Sequence, residues 1–166
     1  MNGSESISLN VVGLGLIFYS PFAASHIREG EDYLETAFEY ADFVEQQALA
    51  GHIVGVSTGS PGRFVLNLFS GYPIEEAVGE HQFKLRLGVE VRDGTLCVRD
   101  LFDLLDWDPK CPESQCIGLN NGFYHVTLLS NTPKSGVLGD NQEISVYLQP
   151  LNEMPQLRFN GVPTLC

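Results

Sequence analysis

The chain has 166 residues and a mass of 18.3 kDa, the length of one domain that can bury about two-thirds of its unfolded surface without a disulfide or metal to hold it. Hydrophobic residues make up 43% and charged residues 18%, which excludes a disordered or fibrous chain. Acids outnumber bases 21 to 9, a net charge of -12, and a field of that sign repels phosphate backbones. Direct nucleic-acid binding is therefore not expected, and basic proteins or cations remain as partners.

Ser6 to Val11 alternates Ile7, Leu9 and Val11 with Ser8 and Asn10, the pattern of a half-buried strand. Gly13 to Tyr19 is a second apolar segment, closed by Ser20-Pro21. It lacks the positive leader of a secretory signal, and no apolar run approaches the ~20 residues that span a bilayer. A cytoplasmic chain with no membrane segment and with reduced thiols is expected.

Glu31 to Ala50 is the one strong helix in the sequence. Leu34, Ala37, Phe38, Ala41, Val44 and Ala48 recur at helical spacing, and Glu31, Glu35, Glu39, Asp42 and Glu45 lie on or near the other face. Seven acids crowd Glu29 to Glu45 with Arg28 the only nearby base. Acids in the first turn suit the helix dipole, but later ones repel at i,i+4 and do not serve helix stability. Gly51 is suited to stop the helix.

Period two then takes over. His52 to Thr58 and Arg63 to Phe69 read as strands joined by a Gly59-Ser60-Pro61-Gly62 hairpin loop. Gln82 to Arg92 alternates cleanly and meets Leu96 and Val98 through Asp93-Gly94, the strongest short hairpin signal. A short helix is predicted after Asp100 as its N-cap, ended by Pro109 and Pro112. Gln115 to Leu119 and Phe123 to Leu129 form a further hairpin around Asn120-Asn121-Gly122, and Glu143 to Gln149 a last regular strand. The tail from Pro150 is expected to be irregular or an edge strand. The fold class is mainly β (α+β): an antiparallel β-sandwich or strongly curled sheet carrying one long amphipathic helix, with residues 1–166 as a single domain.

Gly55-Val56-Ser57-Thr58-Gly59 matches the nucleophile elbow G-x-S-x-G, which exposes a serine on a strained strand-to-helix turn. Here a strand pattern follows instead of a helix, so a loop requiring small residues is the stronger reading. A hydrolase would need Ser57 with a base such as His125 and an orienting acid such as Asp103. The four histidines show no metal-binding spacing. Cys97 reads as a small buried hydrophobe, while Cys111 and Cys116 form either a local bridge or an incomplete metal pair. No metal or other cofactor is expected. Asp100, Asp103, Asp106 and Asp108 are helically spaced among apolar residues, which suits a solvated face better than a calcium loop.

The succession of the Ser6–Val11 strand, a helix with Ala37 and Tyr40-Ala41, the Gly55-Val56-Ser57 strand, the Asp93-Gly94 turn and a late Gly122-Phe123-Tyr124 strand resembles the small bacterial competence-protein-J type. It is also similar to small acidic immunity proteins encoded beside bacterial toxins. The resemblance covers roughly residues 6–130 and implies an inhibitor, in the competence-J case of a DNA-entry nuclease. The chain departs from that pattern in residues 131–166 and in the Cys111–Cys116 loop.

A non-enzymatic acidic binding protein is therefore the leading expectation. Its basic protein partner would dock on Glu31, Glu35, Glu39, Asp42 and Glu45, with Asp100, Asp103 and Asp106. The alternatives are a serine hydrolase at Ser57 and a β protein that holds a small apolar ligand.

Overall fold

Alternating apolar residues build nine strands among residues 5–38, 40–157 and 163–165, the parts that the computed structural model describes. They are β1 (Ser6–Val11), β2 (Gly15–Tyr19), β3 (Val54–Ser57), β4 (Gly62–Ser70), β5 (Phe83–Val91), β6 (Thr95–Asp100), β7 (Cys116–Gly118), β8 (Gly122–Ser130) and β9 (Gln142–Leu151). Two regular helices, α1 (Ala41–Ala50) and α2 (Glu75–Glu80), accompany them. The chain is mainly β, in two sheets that do not close into a barrel. One has the order β1-β4-β9-β8-β5 and the other β3-β2-β6-β7.

Burial shows how the layers stack. β1 is buried at every second residue, so one face of the five-stranded sheet meets the core and the other meets solvent. β2 is buried throughout, as befits a strand covered on both faces. Leu16 and Phe18 join Val54, Val56, Leu96 and Val98 in a core shared with Leu66, Val89, Val126 and Val146 of the five-stranded sheet. Ile17, Tyr19 and Cys97 point the other way, into a second cluster with Tyr33, Phe38, Val44, Leu104 and Trp107. Each large aliphatic or aromatic side chain so buried contributes about 1.5–3 kcal/mol. The four-stranded sheet is thus the middle layer, with helical and loop segments on its far side.

The strand positions follow the sequence pattern, but the pairing does not. Asp93 and Gly94 do adopt positive φ (63° and 66°), as a tight turn demands. Yet β5 pairs with β8, and β6 pairs with β2 and β7. The expected hairpins at 59–62 and 120–122 are also crossings between sheets, because β3 and β7 belong to one sheet and β4 and β8 to the other. A turn sets local dihedrals; which neighbour a strand takes is set by where its apolar face is buried. Nor is the arrangement wholly antiparallel: β9 runs parallel to β4, from Phe64 opposite Gln142 to Ser70 opposite Leu148.

The single helix expected over Glu31 to Ala50 is interrupted. A five-residue π-helical turn, Leu34–Phe38, precedes an extended Tyr40 (φ -93°, ψ 116°), and α1 starts afresh at Ala41. The interruption lets Tyr33, Phe38 and Phe43 gather with ring centroids 5.9–6.1 Å apart. The acid crowding at i,i+4 also weakens any continuous helix here. As expected, Asp100 caps the next short helix, the 3-10 segment Leu101–Leu105, accepting the Phe102 N–H at 3.0 Å.

Candidate functional site

The helical layer and the Leu101–Leu105 segment lie side by side. Gly30 N–H donates to the Trp107 carbonyl at 2.7 Å, and Trp107 N–H donates to the Glu31 carbonyl at 3.1 Å. This backbone clasp joins two acidic stretches that are far apart in sequence, and Asp106 lies against Gly30. Glu35, Asp42 and Asp106 are exposed, and Glu31 and Glu45 are half-buried. Among the described residues the carboxylates paired with Arg are Glu90, 2.7 Å from Arg92, and Asp103, 2.9 Å from Arg99. Glu31, Glu35, Asp42, Glu45 and Asp106 have no Lys or Arg partner in that set. Glu39 lies outside the described residues.

Asp100 and Asp103 differ from the rest. Asp100 is buried, and besides the Phe102 N–H its carboxylate accepts those of Val12 (2.6 Å) and Gly13 (3.2 Å). A carboxylate spent on three backbone donors is a structural tie, which removes Asp100 from the expected docking set. Asp103 is engaged by Arg99, a buried guanidinium that also reaches the Asp108 carbonyl (2.7 Å) and the Tyr19 hydroxyl (3.3 Å) and lies 4.4 Å from the Trp107 ring centroid. Burial pushes the Tyr19 phenol well above its usual range.

The serine-hydrolase constellation is not assembled. Ser57 ends β3 and no helix follows it. Among the described residues its hydroxyl reaches only the Leu14 carbonyl, at 3.5 Å, while its backbone pairs with Pro163 and Leu165. His125 is on β8 of the other sheet, where its Nδ1 is hydrogen-bonded to the Tyr72 hydroxyl at 2.7 Å. Arg86 stacks 4.9 Å from the Tyr72 ring, and burial followed by the Arg86 charge lowers the His125 pKa. Ser57, His125 and Asp103 therefore have three unrelated sets of partners.

One grouping escaped the sequence reading. Cys97 and Cys116 face each other across the β6–β7 ladder, and Cys111 folds back over them, so that the three sulfurs lie within 4.8 Å of one another. The Cys111 Sγ–H donates to the Gln115 carbonyl (3.9 Å), and Cys116 donates to the Pro112 carbonyl (3.3 Å). The Cys111 thiol is pushed far up by its hydrogen bond with Cys97 and by burial, and the Cys116 thiol is raised chiefly by burial. Only the register of two strands that bring together residues 19 positions apart could have revealed the set; spacing alone showed just the Cys111–Cys116 pair.

No helix among the described residues is long and apolar enough to cross a membrane. No protein-family model matches the sequence, and no curated protein matches it. Solved structures do match its fold. One is ComJ of Bacillus subtilis, described as an inhibitor of the DNA-degrading activity of NucA, with a TM-score of 0.53 at 8% identity over 90% of this chain and 98% of that one. Another is the product of crocagin biosynthetic gene J, with a TM-score of 0.53 at 12% identity over 86% of this chain and 96% of that one. The chain thus has a ComJ-like fold, a likeness of architecture at very low identity.

Proposed function

We propose that the protein is a single-domain, sandwich-like cytoplasmic binding protein without catalytic function, which captures and inhibits a basic protein such as a cationic nuclease or toxin. The docking face comprises Glu31, Glu35, Glu39, Asp42, Glu45 and Asp106, with Asp103 adding charge while it stays tied to Arg99. The observation that carries this reading is the backbone clasp between Gly30, Glu31 and Trp107, which sets the two acidic stretches side by side with most of their carboxylates lacking a cationic partner among the described residues. The ComJ-like fold supports the inhibitor class, since ComJ itself is described as a nuclease inhibitor. A surface of one sign acts by steering encounter and rejecting wrong partners more than by raw affinity. The active site of a nuclease, built to attract polyanions, is complementary to it.

The test is capture from a lysate of the source cells by the wild-type chain and by the triple variant Glu35→Lys/Asp42→Lys/Glu45→Lys, followed by kinetics with the purified partner. The expected partner is basic, associates at a rate that falls steeply with salt and at least about tenfold on charge reversal, and loses its cleaving activity in the complex. An acidic partner, or capture that survives the triple reversal, overturns the proposal.

A further inference from the structure

Cys97, Cys111 and Cys116 line a cavity of about 380 Å³, together with Tyr19, Thr95 and Trp107. The cavity lies on the far side of the middle sheet, where residues of the β6–β7 ladder leave the inter-sheet core. Cys97 forms its buried wall, and Cys111 and Cys116 are half-exposed at its rim, so that an ion can arrive from solvent. Opposed residues on neighbouring strands project to the same side, which turns the Cys97 and Cys116 sulfurs towards each other. Cys111, in the loop just before the 3-10 segment Glu113–Gln115, supplies the third corner.

We propose that Cys97, Cys111 and Cys116 form a three-thiolate site for a thiophilic d10 divalent ion of the zinc class, with its fourth coordination position open to the cavity. The spacing suits such an ion. With Zn–S bonds of about 2.3 Å, tetrahedral sulfurs stand about 3.8 Å apart. Sulfurs already within 4.8 Å need to close by no more than about 1 Å, which side-chain rotation supplies. A tetrahedral ion with three protein ligands keeps one position for water or another small donor, and the cavity supplies the room. Trp107, which lines the same cavity, is buried with an indole N–H that has no acceptor among the described residues.

The chemistry balances without an oxidant: three thiols and one M²⁺ give a tris-thiolate complex of charge -1 and release three protons. Arg99, whose guanidinium lies 4.4 Å from the Trp107 ring centroid, supplies a positive field that reaches Cys111. In the metal-free protein the Cys111 and Cys116 thiols donate to backbone carbonyls, so metal uptake competes with protons. The site is independent of the acidic docking face, so either can fail without the other.

The experiment titrates the full-length Cys166→Ser chain, reduced with a phosphine and kept anaerobic, with Co²⁺ and then with Zn²⁺. The expected result is one equivalent of Co²⁺ bound, a thiolate-to-cobalt charge-transfer band, tetrahedral d–d bands, and protection of three thiols from a disulfide reagent. Zn²⁺ should displace the cobalt. Each of Cys97→Ser, Cys111→Ser and Cys116→Ser should weaken binding at least about tenfold. The log of the apparent affinity should rise by about three per pH unit between pH 6 and 8, one for each proton released. Circular dichroism checks that each variant is folded. The half-exposed Cys111 and Cys116 variants keep the test decisive if the buried Cys97 variant does not fold. No charge-transfer band, octahedral cobalt bands, or affinity unchanged in Cys111→Ser and Cys116→Ser overturns the site.

Discussion

The Asp100 carboxylate accepts the Val12 N–H at 2.6 Å, tying the end of β6 to the crossing between β1 and β2 across 88 positions of sequence. The same carboxylate caps the 3-10 segment through Phe102. Asp100→Ala strands three backbone donors, that of Gly13 buried and those of Val12 and Phe102 partly so. The expected loss is about 3 kcal/mol, or roughly 6–12 °C in Tm for a domain of this size. Asp100→Asn keeps one acceptor oxygen and should lose less. Thermal melts of both variants check the order.

Gly62 and Gly139 meet backbone to backbone. A Cβ on Gly62 would stand 2.2 Å from the Gly139 carbonyl oxygen, and one on Gly139 would stand 2.2 Å from that of Pro61; both residues also have positive φ, 143° and 81°. The contact holds the start of β4 against the loop that leads into β9, where Arg63 N–H donates to the Gly139 carbonyl at 2.7 Å. Gly62→Ala or Gly139→Ala should cost more than about 2 kcal/mol. Gly79→Ala, in exposed α2 with open space around it, should stabilise by up to about 1 kcal/mol. Urea unfolding of the three variants separates these signs.

Protonation of His125 should loosen the fold. Burial and then the Arg86 charge hold its folded pKa below the ordinary histidine value, so the unfolded chain binds more protons than the folded one in the interval between the two. This contribution to stability is complete above the unfolded pKa of about 6.5 and is lost as the pH falls towards the folded value. His125→Gln should flatten that slope. Arg86→Gln, which removes the neighbouring positive charge, should move the His125 titration upward in an NMR pH series.

Charge reversal on the helical layer should leave the fold intact. Glu45 and Asp42 stand three residues apart in α1 with no Lys or Arg partner among the described residues, so Glu45→Lys relieves a like-charge contact. Asp42 is in the first turn, and Asp42→Lys opposes the helix dipole at a cost of about 0.5 kcal/mol. The net change for the triple variant should lie within about 1 kcal/mol of zero, measurable by denaturant titration, so that any loss of binding reports on the surface itself.

Strand positions were legible because alternation is a local property: Ser6–Val11 was read to the residue, and the Asp93-Gly94 turn has the dihedrals that its residues suggest. Pairing was not, because the same turn serves a hairpin or a crossing between sheets, and β5 and β6 part company there into two sheets that face each other across one core. The break at Tyr40 was hidden by a helical spacing that continues across it; three aromatic rings that converge in space decide the matter. Within the candidate site, the acids of residues 31–45 were evident from composition. Two other features depended on tertiary neighbours that no spacing rule contains. Asp100 is buried by contacts with residues 12 and 13, and Cys97 meets Cys116 through register.

The position of β9 bears on how the chain comes off the ribosome. It lies between β4 and β8, and the remaining ladders of that sheet join β1 to β4 and β8 to β5. Until residues 142–151 emerge, two ribbons wait with open edges facing each other, unable to zip. Synthesis through β9 must precede closure of the larger sheet, so a nascent chain stalled before Gln142 exposes two adhesive borders and is a natural client for a holding chaperone.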